Sequence, residues 1–201
     1  MYRCAQEWLG AAIDAHTGTA HEDSSSPFTV WELYSGVGGF GLALARNSHV
    51  LVTGIETSQP AVDAANEAAR RAHVADRAVF IQADAHEWVQ RQQAEQEKQT
   101  QQADQPQRTK QAAQQETKQA SMPDAVVVNP PRRGIGHEMA AWLQESGVSH
   151  ILYSSCNVAT LARDLEQMPA YSITQARVID MFPHTPHFET VVLLKRAANL
   201  A

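Results

Sequence analysis

At 201 residues, 43% hydrophobic and 19% charged, the chain can bury a core of its own, which excludes wholesale disorder and predicts one domain plus some spare chain. No apolar run approaches the roughly 18 residues of a membrane span, and no charged-then-apolar leader opens the chain, so no membrane partner is expected. Sixteen Lys+Arg against 22 Asp+Glu give a net charge of −6, which argues against a stand-alone nucleic-acid clamp and leaves an enzyme open.

Residues 1–13 read as a short helix, with Trp8, Leu9, Ala12 and Ile13 on one apolar face. His16 to Pro27 reads as a Ser/Thr/Gly-rich linker. This makes residues 1–27 an N-terminal helix and linker, ahead of a main domain over 28–201. From there short β runs alternate with helical stretches. Val30–Tyr34 is a strand candidate, followed by a glycine cluster and a helix over Leu42–Arg46. Val50–Ile55 is a second strand, ending at Glu56. Ser58 and Pro60 then open a helix over Ala61–Ala72. Val79–Gln82 is a third strand, ending just before Asp84. Gln90 to Gln119 holds thirteen glutamines and almost no large apolar side chain. It reads as a solvated insertion at about 90–120, either disordered or a polar helix. Beyond it come strands at Ala125–Val128 and Ile151–Tyr153 with a helix over Glu138–Gln144 between them. An Asn157-capped helix then runs to about Met168, and strands follow at Ser172–Ile179 and Thr190–Leu194. The alternation predicts an α/β fold with a Rossmann-like, mostly parallel sheet. The last two strands have no helix between them, so the last should run antiparallel, as in a methyltransferase sheet.

Gly36-Val-Gly38-Gly-Phe-Gly41 satisfies GxGxxG directly after a strand, where glycines let the backbone turn tightly and approach a ligand. Glu56 falls 20 residues past Gly36 at the next strand end, where a carboxylate can accept hydrogen bonds from a ribose diol. NAD would normally need a second, substrate domain, for which no chain remains; S-adenosylmethionine (SAM) suits a lone sheet. Glu32 offers an acid for a methionine amino group. Asp84 could bond an adenine amine or simply cap a helix.

Asp124-Ala-Val-Val-Val-Asn129-Pro130-Pro131-Arg132-Arg133-Gly134 ends a buried β run at an Asn, and two prolines stiffen the turn after it. Asn-Pro-Pro before an aromatic marks adenine or amine N-methylation, but here Arg132 follows. Arg132 and Arg133 offer planar donors for phosphate or a base edge, although one of them can belong to a merely solvated turn. The two cysteines, Cys4 and Cys156, lie far apart with no CxxC, so neither a disulfide framework nor a cysteine zinc site is readable, and a cytoplasmic setting is favoured. Cys156 lies just past a strand end and before an Asn-capped helix, a position that favours a nucleophilic role over that of a small buried hydrophobe. An antiparallel last strand would bring Glu189 beside Cys156 across 33 residues of sequence, either as a base or as a rim carboxylate. His184 and His187 could carry protons but form no convincing metal site.

Glu32-Leu-Tyr-Ser-Gly-Val-Gly-Gly-Phe-Gly41, Val128-Asn-Pro-Pro-Arg-Arg-Gly-Ile-Gly136, Tyr153-Ser-Ser-Cys-Asn157 and Asp180-Met-Phe-Pro-His-Thr-Pro-His-Phe-Glu189 together resemble the SAM-dependent RNA uracil-C5 methyltransferases. The Asn-Pro-Pro-Arg-Arg form is similar to the bacterial branch that acts on uracil 747 of 23S ribosomal RNA. The resemblance covers about Tyr2 to Lys195, apart from the Gln-rich and Ser-rich stretches. It departs from the family at Glu32 and Tyr34-Ser35, where members commonly have Asp and Phe-Cys. It implies a class I SAM methyltransferase fold, with Tyr34, Glu56 and Asn129 on SAM-contacting positions, to which the reading of the glycine loop and the third strand end adds Gly36, Gly38 and Asp84. It further implies Cys156 as nucleophile, Glu189 as base and RNA, 23S rRNA by branch, as partner. Family members carry an upstream RNA-binding region, in this branch with an iron–sulfur cluster. This chain is expected to be the catalytic part of such a protein. Two other readings stay open: an N-methyltransferase using Asn-Pro-Pro, which needs no cysteine, and an inactive SAM- or RNA-binding fragment.

Overall fold

The computed structural model describes residues 1–18, 26–103, 122–181, 183–185 and 187–197. Seven strands form a single sheet in the order β3-β2-β1-β4-β5-β7-β6. They are β1 Phe28–Leu33, β2 Val50–Glu56, β3 Ala78–Gln82, β4 Ala125–Val128, β5 His150–Ser155, β6 Tyr171–Ile179 and β7 Glu189–Arg196. The pairs β2–β3, β1–β2, β1–β4 and β4–β5 are parallel, whereas β7 runs antiparallel to both β5 and β6. The expected antiparallel last strand is therefore present, inserted between β5 and the edge strand β6.

The central strands are apolar without alternation because helices cover both faces. All four residues of β4, Ala125 to Val128, are buried. On one face α1 (Tyr2–Gly18), α2 (Gly39–Leu44) and α3 (Gln59–Arg71) pack Leu9, Ile13, Phe40, Leu44 and Val62 against Val30, Val52, Val127, Leu152 and Val191. On the other, α4 (Ala85–Ala103), α5 (Gly136–Glu145) and α6 (Val158–Glu166) pack Val89, Met139, Leu143 and Leu161 against Leu33, Val128, Ile151 and Val192. Trp31 of β1 anchors that second face, edge-on to Trp88 at 4.5 Å and stacked on Trp142 at 6.1 Å.

Most strand and helix ends shift by one to three residues from the sequence reading, and two helices extend well beyond it. Helix α1 runs on to Gly18, taking in His16 and Thr17, whose hydroxyl bonds back to the Ile13 carbonyl. Helix α4 carries the first part of the Gln-rich stretch as far as Ala103. Gln, Glu, Lys and Ala are good helix formers, so the polar-helix alternative holds there. The remainder, 104–119, and most of the Ser-rich linker lie outside the described residues. No helix among the described residues is long and apolar enough to cross a membrane.

Candidate active site

Because β1 to β5 are parallel, their carboxyl ends share one edge, and antiparallel β7 begins at that same edge. Read along the sheet, the edge carries Asp84 after β3, Glu56 at the end of β2, the glycine loop after β1, Asn129 after β4, Cys156 after β5 and Glu189 at the start of β7. The strand order reverses between β1 and β4, the point at which open α/β sheets leave a crevice for ligands.

The glycine loop is built by left-handed backbone. Gly36 and Gly38 have φ of 54° and 77°, and Tyr34 before them has 60°. A Cβ on Gly38 would strike the Phe80 ring, whereas one on Gly36 would meet nothing. The loop is thus closed beneath and open above. At its base the Ser35 hydroxyl is buried with no partner. Burial first, and then the charge of Asp84, pushes the Tyr34 phenol up to about 12.

Glu56 Oε2 accepts the Gly36 N–H at 2.9 Å, and Oε1 accepts the Ser58 N–H at 3.0 Å and the Thr57 hydroxyl at 3.1 Å. Burial raises its pKa, but these donors together outweigh that and hold it below the ordinary carboxylate value. Of the three donors only the Thr57 hydroxyl is free to rotate away for an incoming diol. Asp84 is exposed, and its Oδ1 accepts the N–H groups of His86 and Glu87 at 2.9 and 3.1 Å. Of the two roles open to it, the helix cap is the one present.

The expectation for Glu32 needs correction. Its side chain is 1% exposed, and its two oxygens accept the N–H groups of Phe40 at 3.2 Å and Gly41 at 2.8 Å. It braces the start of α2 and does not face the open side of the loop. Desolvation outweighs those two hydrogen bonds and raises its pKa to about 8.

Across the crevice the Asn129 side chain is half-buried and bonds no other described residue, while its own N–H reaches the Leu33 carbonyl at 3.3 Å. The turn after it is held by α6. Asn157 Nδ2 and the Thr160 hydroxyl donate to the Arg132 carbonyl at 3.3 and 3.2 Å, and Arg163 donates to the Arg133 carbonyl at 2.7 Å. Asp164, fully buried, accepts the Ile135 N–H at 2.9 Å and the Tyr153 hydroxyl at 2.8 Å on Oδ2 and Arg163 on Oδ1. Burial, with Asp164 as acceptor, pushes the Tyr153 phenol upward. The guanidinium of Arg132 donates to His187 Nδ1 at 2.9 Å, which requires that nitrogen to be unprotonated. Arg133 is exposed, its side chain hydrogen-bonds no other described residue, and it lines a cavity of about 400 Å³ with His137, Arg163 and Gln167.

Cys156 is half-buried and free. It precedes α6, whose cap Asn157 accepts the Ala159 N–H at 3.1 Å. The β5–β7 register pairs Ser155 with Thr190, which places Glu189, the first residue of β7, at the edge where Cys156 follows β5. Glu189 is buried, and its Oε1 accepts the Ser154 hydroxyl at 2.5 Å. Burial raises its pKa, with the Ser154 hydrogen bond pulling the other way. His184 and His187 are exposed. Among the described residues no group of three or more His, Cys, Asp or Glu is placed to hold a metal. Cys4 is buried in α1, so the residues here do not fit an iron–sulfur cluster.

Two residues escape the sequence reading. Asp164 carries a signal, because it falls in the stripe Leu161, Asp164, Leu165, Met168, where an apolar side chain is expected. Ser154 carries none beyond being polar in a buried run.

Residues 19–197 match the family described as tRNA (uracil-5-)-methyltransferase. The chain belongs to that family. It is 38% identical, over its full length, to the 23S rRNA (uracil(747)-C(5))-methyltransferase RlmC of Shewanella amazonensis, of which it covers 42%. It is 37% identical over 84% of its length to RlmC of Pectobacterium atrosepticum, covering 37% of that protein. The chain therefore spans about two fifths of the length of these curated relatives. Among solved structures, the tRNA (uracil-54, C5)-methyltransferase of Pyrococcus abyssi, in complex with S-adenosyl-L-homocysteine, superposes with a TM-score of 0.62 at 25% identity. The match covers 94% of this chain and 38% of that one. TrmN of Thermus thermophilus shares the fold with a TM-score of 0.59 at 16% identity, over 98% of this chain and 49% of that one.

Glu32 also sets a pH dependence. A carboxyl that binds its proton more tightly in the folded state stabilises fully below its unfolded value of 4.5, and that contribution is lost as pH rises toward about 8. Glu32→Gln places an amide N–H₂ against a backbone N–H, costing about 1–3 kcal/mol at low pH. Its deficit against the parent in urea unfolding should shrink from pH 5 to pH 8. A pH-independent deficit would contradict the assignment.

Proposed function

We propose that the chain is the catalytic part of an RNA methyltransferase that transfers a methyl group from SAM to C5 of a uridine, in 23S rRNA. The observation that carries this reading is the order of groups along the sheet edge. A glycine loop and Glu56 lie on one side of the switch point, with Asn129, Cys156 and Glu189 on the other. The open space above Gly36, the orphaned Ser35 hydroxyl and the Glu56 carboxylate suit a nucleoside with a charged amino-acid tail. When bound there, SAM supplies an electrophilic methyl group.

Uracil C5 is a poor nucleophile until something adds to C6. The Cys156 thiolate adds to C6, and the C5=C6 π electrons move toward C5 and the C4 carbonyl, so that C5 can accept the methyl. Glu189 then removes the C5 proton, the double bond re-forms and the Cys156 sulfur leaves with its electron pair. The raised pKa of Glu189 suits a group that must accept a proton. Asn129, with its amide uncommitted, has the donors and acceptor to hold the uracil edge or the cofactor. A paired target uridine must first be unstacked from its helix.

Cys156→Ala should abolish 5-methyluridine formation in a 23S hairpin, measured by nucleoside mass spectrometry. Normal turnover by that variant would remove the covalent mechanism and leave the N-methyltransferase reading. Glu189→Gln should accumulate an RNA–protein adduct on a denaturing gel; full turnover without adduct would remove Glu189 as the base.

Arg132 and Arg133 are assigned to the RNA. Because the Arg133 guanidinium hydrogen-bonds no described residue and shares its cavity with Arg163 and His137, it suits a backbone phosphate. Arg133→Gln should weaken hairpin binding and reduce the slope of log affinity against log salt by about 1. An unchanged slope would exclude that phosphate contact.

A further inference from the structure

Ser154 is the last-but-one residue of β5, two positions before Cys156, and its side chain lies on the same face of the strand as that of Leu152. Glu189 shares that face from β7, with Val191 and Leu193 behind it in the same core as Leu152. Ser154 is fully buried and Glu189 nearly so. The single hydroxyl proton of Ser154 has two acceptors in reach: Glu189 Oε1 at 2.5 Å and Met1 Sδ at 3.7 Å. A carboxylate oxygen at 2.5 Å is much the stronger acceptor, and a thioether is a weak one. The proton therefore goes to Glu189.

We propose that Ser154 is a positioning residue for the base: its hydroxyl occupies Oε1, fixes the Glu189 carboxylate against β5 and leaves Oε2 as the oxygen that takes the C5 proton. The proposal rests on the reading of Glu189 as that base. Glu189 needs such a partner because a carboxylate taken out of water requires a donor to hold its charge. Among the described residues the other side chains around it do not supply one. Ile179 faces it from β6, and Arg177, two residues back, is committed to Cys4 and Glu7. Cys156 follows the end of β5, and His187 two residues upstream points to Arg132. Once Glu189 is protonated on Oε2, the Ser154 hydrogen bond to Oε1 persists. The carboxyl then stays in place while the Cys156 sulfur departs.

The test separates this role from mere packing. The Glu189 side-chain carboxyl carbon can be followed by NMR in the full ¹³C-glutamate-labelled chain, its signal assigned by its loss in Glu189→Gln. Removing a donor that favours the charged form raises the pKa, so Ser154→Ala should titrate about one pH unit above the parent. Ser154→Cys, nearly isosteric but a weak donor, should follow Ser154→Ala, whereas Ser154→Thr should restore the parent value. The acidic limb of C5-tritium release from labelled hairpin RNA should move by the same amount, with KM unchanged. Titration of Ser154→Ala and Ser154→Cys at the parent pH would overturn the proposal even if Glu189→Gln traps its adduct. Normal turnover by Glu189→Gln would instead overturn the reading of Glu189 as base, and the proposal with it.

Discussion

An antiparallel strand delivers its first residue to the edge where its parallel neighbours deliver their last, and the candidate chemistry here depends on that one geometric fact. Had β7 entered the sheet parallel to β5, Glu189 would lie at the opposite edge from Cys156. Instead the ladder that pairs Ser155 with Thr190 brings Cys156, just past β5, and Glu189, the first residue of β7, to the same edge of the sheet. Backbone hydrogen bonding thus performs the alignment, over a sequence separation of 33 residues, before any side chain contributes. The buried run Val191 to Leu194 locks the register, since a slip of one residue would turn Glu189 to the other face.

A second regularity is the use of carboxylates as loop braces. Glu32 holds the N–H groups at the start of α2, Glu56 holds those of Gly36 and Ser58, and Asp164 holds that of Ile135 behind the Asn-Pro-Pro turn. Loops at a strand edge must satisfy their backbone donors without a neighbouring strand, and a carboxylate can accept several at once. The cost is desolvation, and its balance against the donors differs between sites. The half-exposed Glu56 stays below its ordinary pKa, whereas the fully buried Glu32 goes well above it. Glu189 belongs with Glu32 in being buried, but with only one side-chain donor in place of two backbone ones. Such a carboxylate retains capacity for a proton, which suits a base rather than a brace.

Much of this was legible in the sequence. The continuous apolar run Ala125–Val128 announced a strand covered on both faces, and the absence of a helix between the last two strands announced the antiparallel ending. The glycine loop, Glu56, Asn129, Cys156 and Glu189 all fall at strand ends, where topology alone predicts their common edge. Directions of side chains were not legible. Glu32 lies at the expected place but turns inward, because α2 starts close enough for its amides to claim both oxygens. Asp84 serves as the helix cap, one of the two roles its position allowed. Ser154 acquires meaning only from the cross-strand diagonal to Glu189, a relation that no local spacing encodes. The end of α1 was missed because Thr17 and Gly18 have loop composition, although Thr17 bonds back to Ile13.

The central claim, that Cys156 forms a uracil adduct and Glu189 resolves it, has a direct test. A 23S hairpin with 5-fluorouridine at the target position removes the proton that Glu189 must take, because fluorine cannot leave as a cation. Incubated with the chain and SAM, it should give a species whose intact mass equals protein plus RNA plus one methyl group, absent in Cys156→Ala. Methyl-free RNA with no protein adduct, under conditions where the unmodified hairpin is methylated, would contradict the account.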